Sequence, residues 1–335
     1  MPQGYARRMS GLRWGILATG GIATSFTSDL RHAGLDVAAV GSRSAESSAR
    51  FAERFEIPRA HGSYEELVAD PDVDIVYVAT PHPLHAENAL AAIAHGKHVL
   101  VEKAFTQDAA QAAAVRDAAR SAGVLAMEAM WTRYLPHMAW VRELVRGGRL
   151  GEVRTVTADH TQSLPTDPSH RINALALGGG ALLDLGIYPV SFAVDVLGLP
   201  ERITALARIS DAGSDAEVAT VFVHPGGAVS TTVSSSRGAG ANVAQIVGTE
   251  ARIEIDGVWY SPTAFRVVGP DGTVIEEFDG AVDGRGMQFQ ALAAERLVAE
   301  GATSSDILPI DETVAIMGVL DEVRRQIGVV YPGGL

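Results

Sequence analysis

The hydrophobic and polar positions change rhythm once along this chain, near residue 150. Before that point, short apolar runs alternate with longer stretches of helical period. Leu12 to Ala18 reads as a buried strand, Thr19-Gly20-Gly21-Ile22-Ala23 as a tight turn opening a helix through Ala33, and Asp36 to Gly41 as a second strand. Ala45 to Phe55 is helical behind the capping residue Ser44, and Ser63-Tyr64-Glu65-Glu66 is a capping box that starts a shorter helix. Asp74 to Thr80 is apolar almost throughout, as a strand buried on both faces must be. Pro83 suits the first turn of the alanine-rich helix that runs to His95, and the next strand, beginning at His98, stops abruptly at Glu102-Lys103. A helix over Gln107 to Ser121 and a short strand near Val124 to Glu128 complete the series. Strand and helix in alternation predict a parallel, doubly wound sheet.

From Gly151 the spacing shortens. Glu152 to His160 alternates like a strand, a loop runs from Gln162 to Arg171, and Gly178-Gly179-Gly180 predicts the opening of an amphipathic helix through Leu197. Strands are expected near Ile203 to Ile209, Val218 to His224, Val229 to Ser235, Val243 to Val247, Arg252 to Ile255, Phe265 to Val268 and Val274 to Phe278. Pro225-Gly226-Gly227 and Pro270-Asp271-Gly272 are hairpin turns, so this sheet is mostly antiparallel. Helices over Met287 to Glu300 and Asp311 to Ile327 finish the chain. The expected architecture is an α/β Rossmann domain over residues 1–130 and an α+β domain over 131–335 with a large, open, mostly antiparallel sheet. Met127 to Tyr134 marks the crossing. Two helices are too few to cover both faces of so many strands. The uncovered face, with Val229, Thr231 or Val243 pointing outward, predicts a homodimer.

Composition supports two units. At 335 residues and 47% hydrophobic content the chain exceeds what one core holds, and two domains leave a cleft between them. A net charge of -13 provides no basic face for nucleic acid or an acidic membrane surface, and neither partner is expected. With no cysteine, disulfides, thiolate nucleophiles and cysteine-ligated metals are excluded, which fits a cytoplasmic protein. The leader Met1 to Gly11 is polar and patternless. Its Arg7-Arg8 pair ahead of the apolar Trp14 to Ala23 resembles a twin-arginine export signal, but that apolar run is the first strand and its turn.

Ligands of doubly wound sheets bind beyond the strands' carboxyl ends, which here carry Thr19, Gly20, Arg43, Thr80, His82 and Lys103. In the dinucleotide pattern G-x-G-x-x-G/A the key positions are Ala18, Gly20 and Ala23, with alanine where the turn glycine belongs. After the second strand, Ser42 and Arg43 stand where an acid would grip a ribose 2′-hydroxyl; a hydroxyl and a planar cation suit a 2′-phosphate, hence NADP(H). His82 and His85 lie too close together and to prolines for a metal pair, so no metal is expected. The chain has two lysines against 25 arginines. Arginine cannot release a proton near neutral pH and a desolvated lysine can, so Lys103 at a strand's end suggests proton chemistry. Asp184 and Tyr188, four apart, would share a helix face.

These residues resemble the Gfo/Idh/MocA oxidoreductases, in the branch of the dimeric dihydrodiol and D-xylose dehydrogenases. The resemblance runs from Trp14-Gly15-Ile16 through the stretches Met127 to Arg133 and Gly179 to Tyr188 to Glu322-Val323-Arg324-Arg325. It implies that Glu102-Lys103 holds the place of the family's Glu-Lys-Pro lysine, and that Asp184, Gly186 and Tyr188 match the tyrosine version of Asp-x-Gly-x-His. Ala104 departs from the family proline, losing a fixed φ and gaining a backbone donor. The implied activity is NADP(H)-dependent hydride transfer between nicotinamide and a hydroxyl or carbonyl carbon of a sugar or cyclic diol. Lys103 and Tyr188 would share the proton task, the ammonium lowering the phenol's pKa from about 10, with Asp184 orienting or balancing the pair. Which of the two touches the substrate oxygen stays open. The nucleotide is expected against Ala18, Thr19, Gly20, Gly21, Ile22, Ser42 and Arg43, and against Thr80, Pro81, His82, His85, Glu102, Lys103, Trp131 and Arg133. The substrate is expected against Lys103, Trp131, His160, Asp184 and Tyr188. The rival readings are another reaction of the same family, on an inositol, anhydrofructose or a glucoside 3-position, and a nonenzymatic NADP(H)-binding sensor. The retained Lys103 with Tyr188 argues for an enzyme.

Overall fold

The computed structural model describes residues 11–332, so the Arg7-Arg8 pair lies outside the described residues. The first half alternates as its pattern requires: β1 (Trp14–Leu17), α1 (Gly21–His32), β2 (Val37–Gly41), α2 (Ala45–Phe55), β3 (Arg59–His61), α3 (Tyr64–Ala69), β4 (Ile75–Val78), α4 (His85–Ala94), β5 (His98–Glu102), α5 (Ala109–Ala122) and β6 (Ala126–Ala129). The strands form one parallel sheet in the order β3-β2-β1-β4-β5-β6. β1, β2 and β4 are buried at every position, which is why their sequences show no alternation. The strand order reverses between β1 and β4, and the crevice beyond their carboxyl ends is the binding position of such sheets. Helix starts follow their caps: Ser44 accepts from the Ser47 N–H (3.2 Å), Ser63 from Glu66 (3.1 Å) and Asp108 from Gln111 (2.8 Å). β3 was not expected. Three residues reading Arg-Ala-His have no apolar period, and they are strand only because β2 offers an edge to pair with.

The second half contains α6 (Pro136–Arg146), β7 (Val153–Thr161), α7 (Ile187–Leu197), β8 (Arg202–Ile209), β9 (Asp215–Val223), β10 (Val229–Ser235), β11 (Ala244–Gly248), β12 (Arg252–Ile255), β13 (Phe265–Val268), β14 (Val274–Phe278), α8 (Gln288–Ala299) and α9 (Ile310–Ile327). Eight strands lie in the order β14-β13-β12-β11-β7-β10-β9-β8. The hairpins at Pro225-Gly226-Gly227 and Pro270-Asp271-Gly272 form as expected. All pairings are antiparallel except β7 with β10, whose connection passes through α7 and a further hairpin and so has the length a parallel return needs. α7 and α9 cover one face of this sheet, and α9 also packs on α5, as α8 does on α1.

One expectation fails. The stretch after Gly180 is not an amphipathic helix: Leu182–Gly186 forms a π turn, α7 begins only at Ile187, and every side chain from Ala181 to Val194 is buried. It packs between the sheet and the neighbouring helices, so no polar face is needed. The turn starts where the Asp215 carboxylate accepts the Leu182 N–H at 2.6 Å. Gly180 (φ 139°) makes that approach possible, since a Cβ there would lie 2.2 Å from Asp215 Oδ1.

Candidate active site

The carboxyl ends of β1, β2, β4 and β5 face the π turn across a cleft of about 830 Å³, within the range of ligand and cofactor pockets. The expected site residues, Arg133 excepted, all line this one cleft.

At the β1–α1 turn, Ala18 adopts φ 97°, the backbone that glycine takes without cost, at a strain on the order of 1–3 kcal/mol. The departure from the glycine pattern therefore changes the residue and leaves the turn in place. A Cβ added at Gly20 or Gly21 would meet nothing within 4 Å, so the cradle above the N-terminus of α1 is open for a dinucleotide's phosphates to approach the backbone, and these residues fit that group. Ser42 accepts from the Ser44 N–H (3.3 Å), and Arg43 is exposed on the same rim.

At the end of β5, Lys103 reaches 81 residues along the chain. Its Nζ donates to the Asp184 backbone oxygen (2.8 Å) and Oδ1 (3.1 Å), and lies 5.1 Å from the centre of the Tyr188 ring, over its face. Burial opposes the ammonium, but Asp184, Tyr188 and Glu102 outweigh it and raise the lysine's pKa. Burial also opposes the charge of Asp184, yet Lys103 and Arg171 hold its carboxyl far below the usual range. Arg171 is the second partner, at 3.2 Å from Oδ2. The acid is thus buried and doubly paired, with no share in a solvated helix face.

The expectation that Lys103 lowers the phenol's pKa is corrected in its net effect. Burial raises the Tyr188 pKa more than the nearby ammonium lowers it. The Tyr188 oxygen accepts a hydrogen bond from Trp131 Nε1 (3.0 Å), which leaves its own proton free to donate. Glu102, raised by burial, accepts from the Tyr77 hydroxyl and from the Lys103 N–H (3.2 Å).

The donor gained at Ala104 is satisfied. Ala104 is fully buried, and with Nδ1 protonated, His82 donates to the Gly178 oxygen (3.3 Å) and accepts from the Ala104 N–H (3.2 Å). His85 faces the oxygens of Thr80 (2.7 Å) and Ala104 (3.0 Å), and burial lowers its pKa to about 3, so the neutral ring donates to one at a time. Both rings hold the segment that carries Lys103. The second lysine, Lys97, caps the oxygens of Asp70 and Val73 at 2.8 Å each and holds the loop between α3 and β4.

His160 stacks on Tyr260 with ring centres 3.8 Å apart and meets the Tyr188 ring edge-on at 4.8 Å. Burial, then Lys103, lower its pKa to about 3, so it is a neutral ring whose Nε2 accepts from the Gln162 amide (2.8 Å). Tyr260, Gln162, Arg171 and Arg285 line the cleft without having been singled out in the sequence. Gln162 and Arg171 bound a loop whose limits the pattern marks, but loops have no period from which an inward residue could be read.

Arg133 is the exception. It is buried away from the cleft and donates to Ser191 Oγ (3.0 Å) and O (2.7 Å), pairing with Asp195 (3.0 Å) and Glu312 (2.9 Å). Arg142 completes the cluster through Asp195 (2.9 Å) and the Arg133 oxygen (2.6 Å). Neighbouring Trp131 does reach the cleft; the helical turn over residues 131–134 sends the two side chains in different directions.

Known proteins resemble this chain over nearly its whole length. Residues 12–130 match the oxidoreductase family with an NAD-binding Rossmann fold, and residues 138–254 match the GFO/IDH/MocA C-terminal domain. The chain is 36% identical to the trans-1,2-dihydrobenzene-1,2-diol dehydrogenase of Mus musculus, over 96% of this chain and 98% of that protein. It is 36% identical to the D-xylose 1-dehydrogenase (NADP(+)) of Hypocrea jecorina, over 96% and 93%. The crystal structure of an aldose-aldose oxidoreductase from Caulobacter crescentus, complexed with glycerol, superimposes with a TM-score of 0.85 at 27% identity, covering 94% of this chain and 97% of that one.

The Arg133 cluster generates a prediction about stability. Arg133→Leu leaves Glu312 without this partner and Asp195 with one arginine instead of two, and should lower the unfolding free energy in urea by about 3 kcal/mol. Nucleotide binding at 20 °C, measured by titration calorimetry, should stay unchanged, because the residue does not touch the cleft.

Proposed function

Because the chain belongs to the Gfo/Idh/MocA oxidoreductase family, we propose that it moves a hydride reversibly between NADP(H) and a carbon bearing a hydroxyl or carbonyl group, on a sugar or cyclic diol. The observation that carries the reading is the Lys103–Asp184 pair beside the free Tyr188 proton, in the cleft that begins at the dinucleotide turn. In this division of labour residues 1–130 hold the nucleotide and 131–335 supply the substrate wall. The bound nicotinamide would accept or give the hydride at its C4.

The protein's own residues position the substrate and handle the proton. Tyr188, whose oxygen already accepts from Trp131, donates its O–H to the substrate oxygen during carbonyl reduction and takes the proton back during alcohol oxidation. Lys103 lies against the face of the Tyr188 ring, where its charge stabilises the phenolate that exists for that moment. Asp184 holds the ammonium in place through two contacts, and His160, neutral and stacked on Tyr260, offers the substrate an apolar face with a polar edge. A sensor that only reads nucleotide occupancy has no use for a buried ammonium aimed at a phenol.

The nucleotide preference follows from Ser42 and Arg43, where no acid stands to repel a 2′-phosphate. Arg43→Ala should weaken NADPH binding about 10- to 100-fold, the usual worth of a charge-assisted contact, and NADH binding far less. Equal losses by calorimetry would sink the assignment.

Lys103→Arg tests the chemistry. The ammonium sits on two oxygens of one residue, contacts that the larger, planar guanidinium does not reproduce, so turnover should fall about 100- to 10,000-fold while the NADPH dissociation constant stays within a few-fold. Tyr188→Phe should also lower kcat, and the double variant should be little worse than the poorer single one. Near-normal turnover in Lys103→Arg, assayed with xylose and cyclic diols, defeats the catalytic assignment.

A homodimer through the outer face of the second sheet belongs to the same proposal. Leu206, Ala219 and Val233 lie opposite one another across β8, β9 and β10, and Val243 extends the row beyond Asp159. Leu206 is 76% exposed, and Val221, Val233, Val243 and Thr231 are exposed beside it, whereas Val229 is half-buried. An apolar strip of this kind on an uncovered sheet marks an interaction surface. Light scattering should report about twice the chain mass at micromolar concentration, and Leu206→Asp should shift the population to monomer; a wild-type monomer defeats it. Cytosolic residence fits the same reading, since the chain has no cysteines that oxidation could pair.

A further inference from the structure

Arg285 enters the cleft from far along the chain. It lies in the loop between β14 and α8, flanked by Gly284 (φ 78°) and Gly286 (φ 102°). The loop is held from the other half of the protein: Asp29, on α1, accepts the Arg285 N–H at Oδ1 (3.0 Å) and the Met287 N–H at Oδ2 (2.8 Å). Asp29 is buried at 4% exposure, so its two oxygens are committed to backbone donors at the start of α8. Gly286 leaves no slack either, as a Cβ there would come within 2.6 Å of Leu135 Cδ2. The loop is therefore fastened to the flank of the helix whose N-terminus opens at the dinucleotide turn.

From that anchor the guanidinium lies 5.4 Å from the centre of the Trp131 ring and lines the same cleft as Gly21 and Ile22. The other cations of the cleft are already accounted for. Lys103 and Arg171 are paired with Asp184, and Arg43 stands at the end of β2. Among the described residues Arg285 has no ion pair. The first turn of α1, Gly21 to Thr24, has no basic side chain, so a dinucleotide's diphosphate would find only backbone dipoles there for its two charges.

We propose that Arg285 binds the diphosphate of the dinucleotide from across the cleft, and that Asp29 is the positioning residue that aims it. The inference rests on the nucleotide reading above and extends it: both halves of the chain hold the nucleotide.

The test is calorimetric titration with NADPH, NADH and adenosine 2′-monophosphate, which has the 2′-phosphate but no diphosphate. Arg285→Ala should weaken NADPH and NADH alike, by about tenfold, and leave adenosine 2′-monophosphate unchanged. Arg285→Lys should recover part of the loss. Asp29→Asn should weaken both dinucleotides several-fold where Arg285 is present and add nothing further in the Arg285→Ala background. Unchanged dinucleotide affinity in Arg285→Ala overturns the proposal, and so does a loss confined to the KM of the carbohydrate, which would assign Arg285 to the substrate. A full additional loss from Asp29→Asn in the Arg285→Ala background overturns the positioning role. A wild-type chain that binds neither dinucleotide defeats the function reading itself, whereas a wild type that binds both beside an unaffected Arg285→Ala defeats only this one.

Discussion

The contact between Lys103 and Asp184 is the constraint around which the site is built. An ammonium at the end of β5 and a carboxylate in a π turn of the second half meet at 3.1 Å, and both are nearly excluded from water. Taking either charge out of water alone would cost several kcal/mol, so each residue's charged state depends on the other being in place. The pairing in turn dictates what supports it. On one side, His82 and His85 hold the Lys103–Ala104 segment; on the other, the π turn is started by Asp215, which can reach Leu182 only past a glycine. An irregular turn in a buried helix is costly to maintain. Here it turns the Asp184 backbone oxygen as well as its carboxylate toward the lysine, which a regular helix would have bonded internally.

Lys103–Asp184 and Asp29 are two of the polar links that join the two halves, while the Arg133 cluster braces the second half itself, and the three do different work. Lys103–Asp184 lies in the cleft and sets its electrostatics. The Arg133 cluster lies behind the cleft, where arginine forks satisfy Ser191, Asp195 and Glu312 at once. Asp29 ties α1 to the loop that starts α8. The last helices of the chain thus pack back onto the first sheet, and the cleft is closed on two sides by segments that come late in the sequence. The floor of a site assembled this way is made of fully buried strands, and exposed residues such as Arg171 and Arg285 reach in from its rim.

The scarcity of lysine marks residues without assigning their roles. Of two lysines among 27 cations, one is the cleft ammonium and the other caps two backbone oxygens in the loop between α3 and β4. Scarcity marked both equally. What separates them is the company of Asp184 and Tyr188, more than 80 positions away in sequence. Protonation was the least legible property. The sequence places a cation beside a phenol, but whether the phenol's pKa falls or rises depends on how completely the pair is buried, and burial won.

By itself the sequence determined the two sheets, most element boundaries, the dinucleotide turn and the residues along its rim. Each of these rests on local physics: apolar period, side-chain caps within three residues, glycine and proline where the backbone must bend, and strands that end in polar residues at one edge of a parallel sheet. Ala18 shows the strength of that local determination, since the turn forms even with the wrong residue in it. Only the tertiary structure decided the rest. β3 exists because β2 has an open edge; the π turn exists because a carboxylate from β9 intercepts one N–H. Arg133 turned inward while Trp131, two residues earlier, faced the cleft. Asp29 met Arg285 across 256 positions. A short run of sequence specifies its own backbone through neighbours it always has. Which side chains share a cleft, and with what charge, depends on neighbours supplied only when the chain has folded.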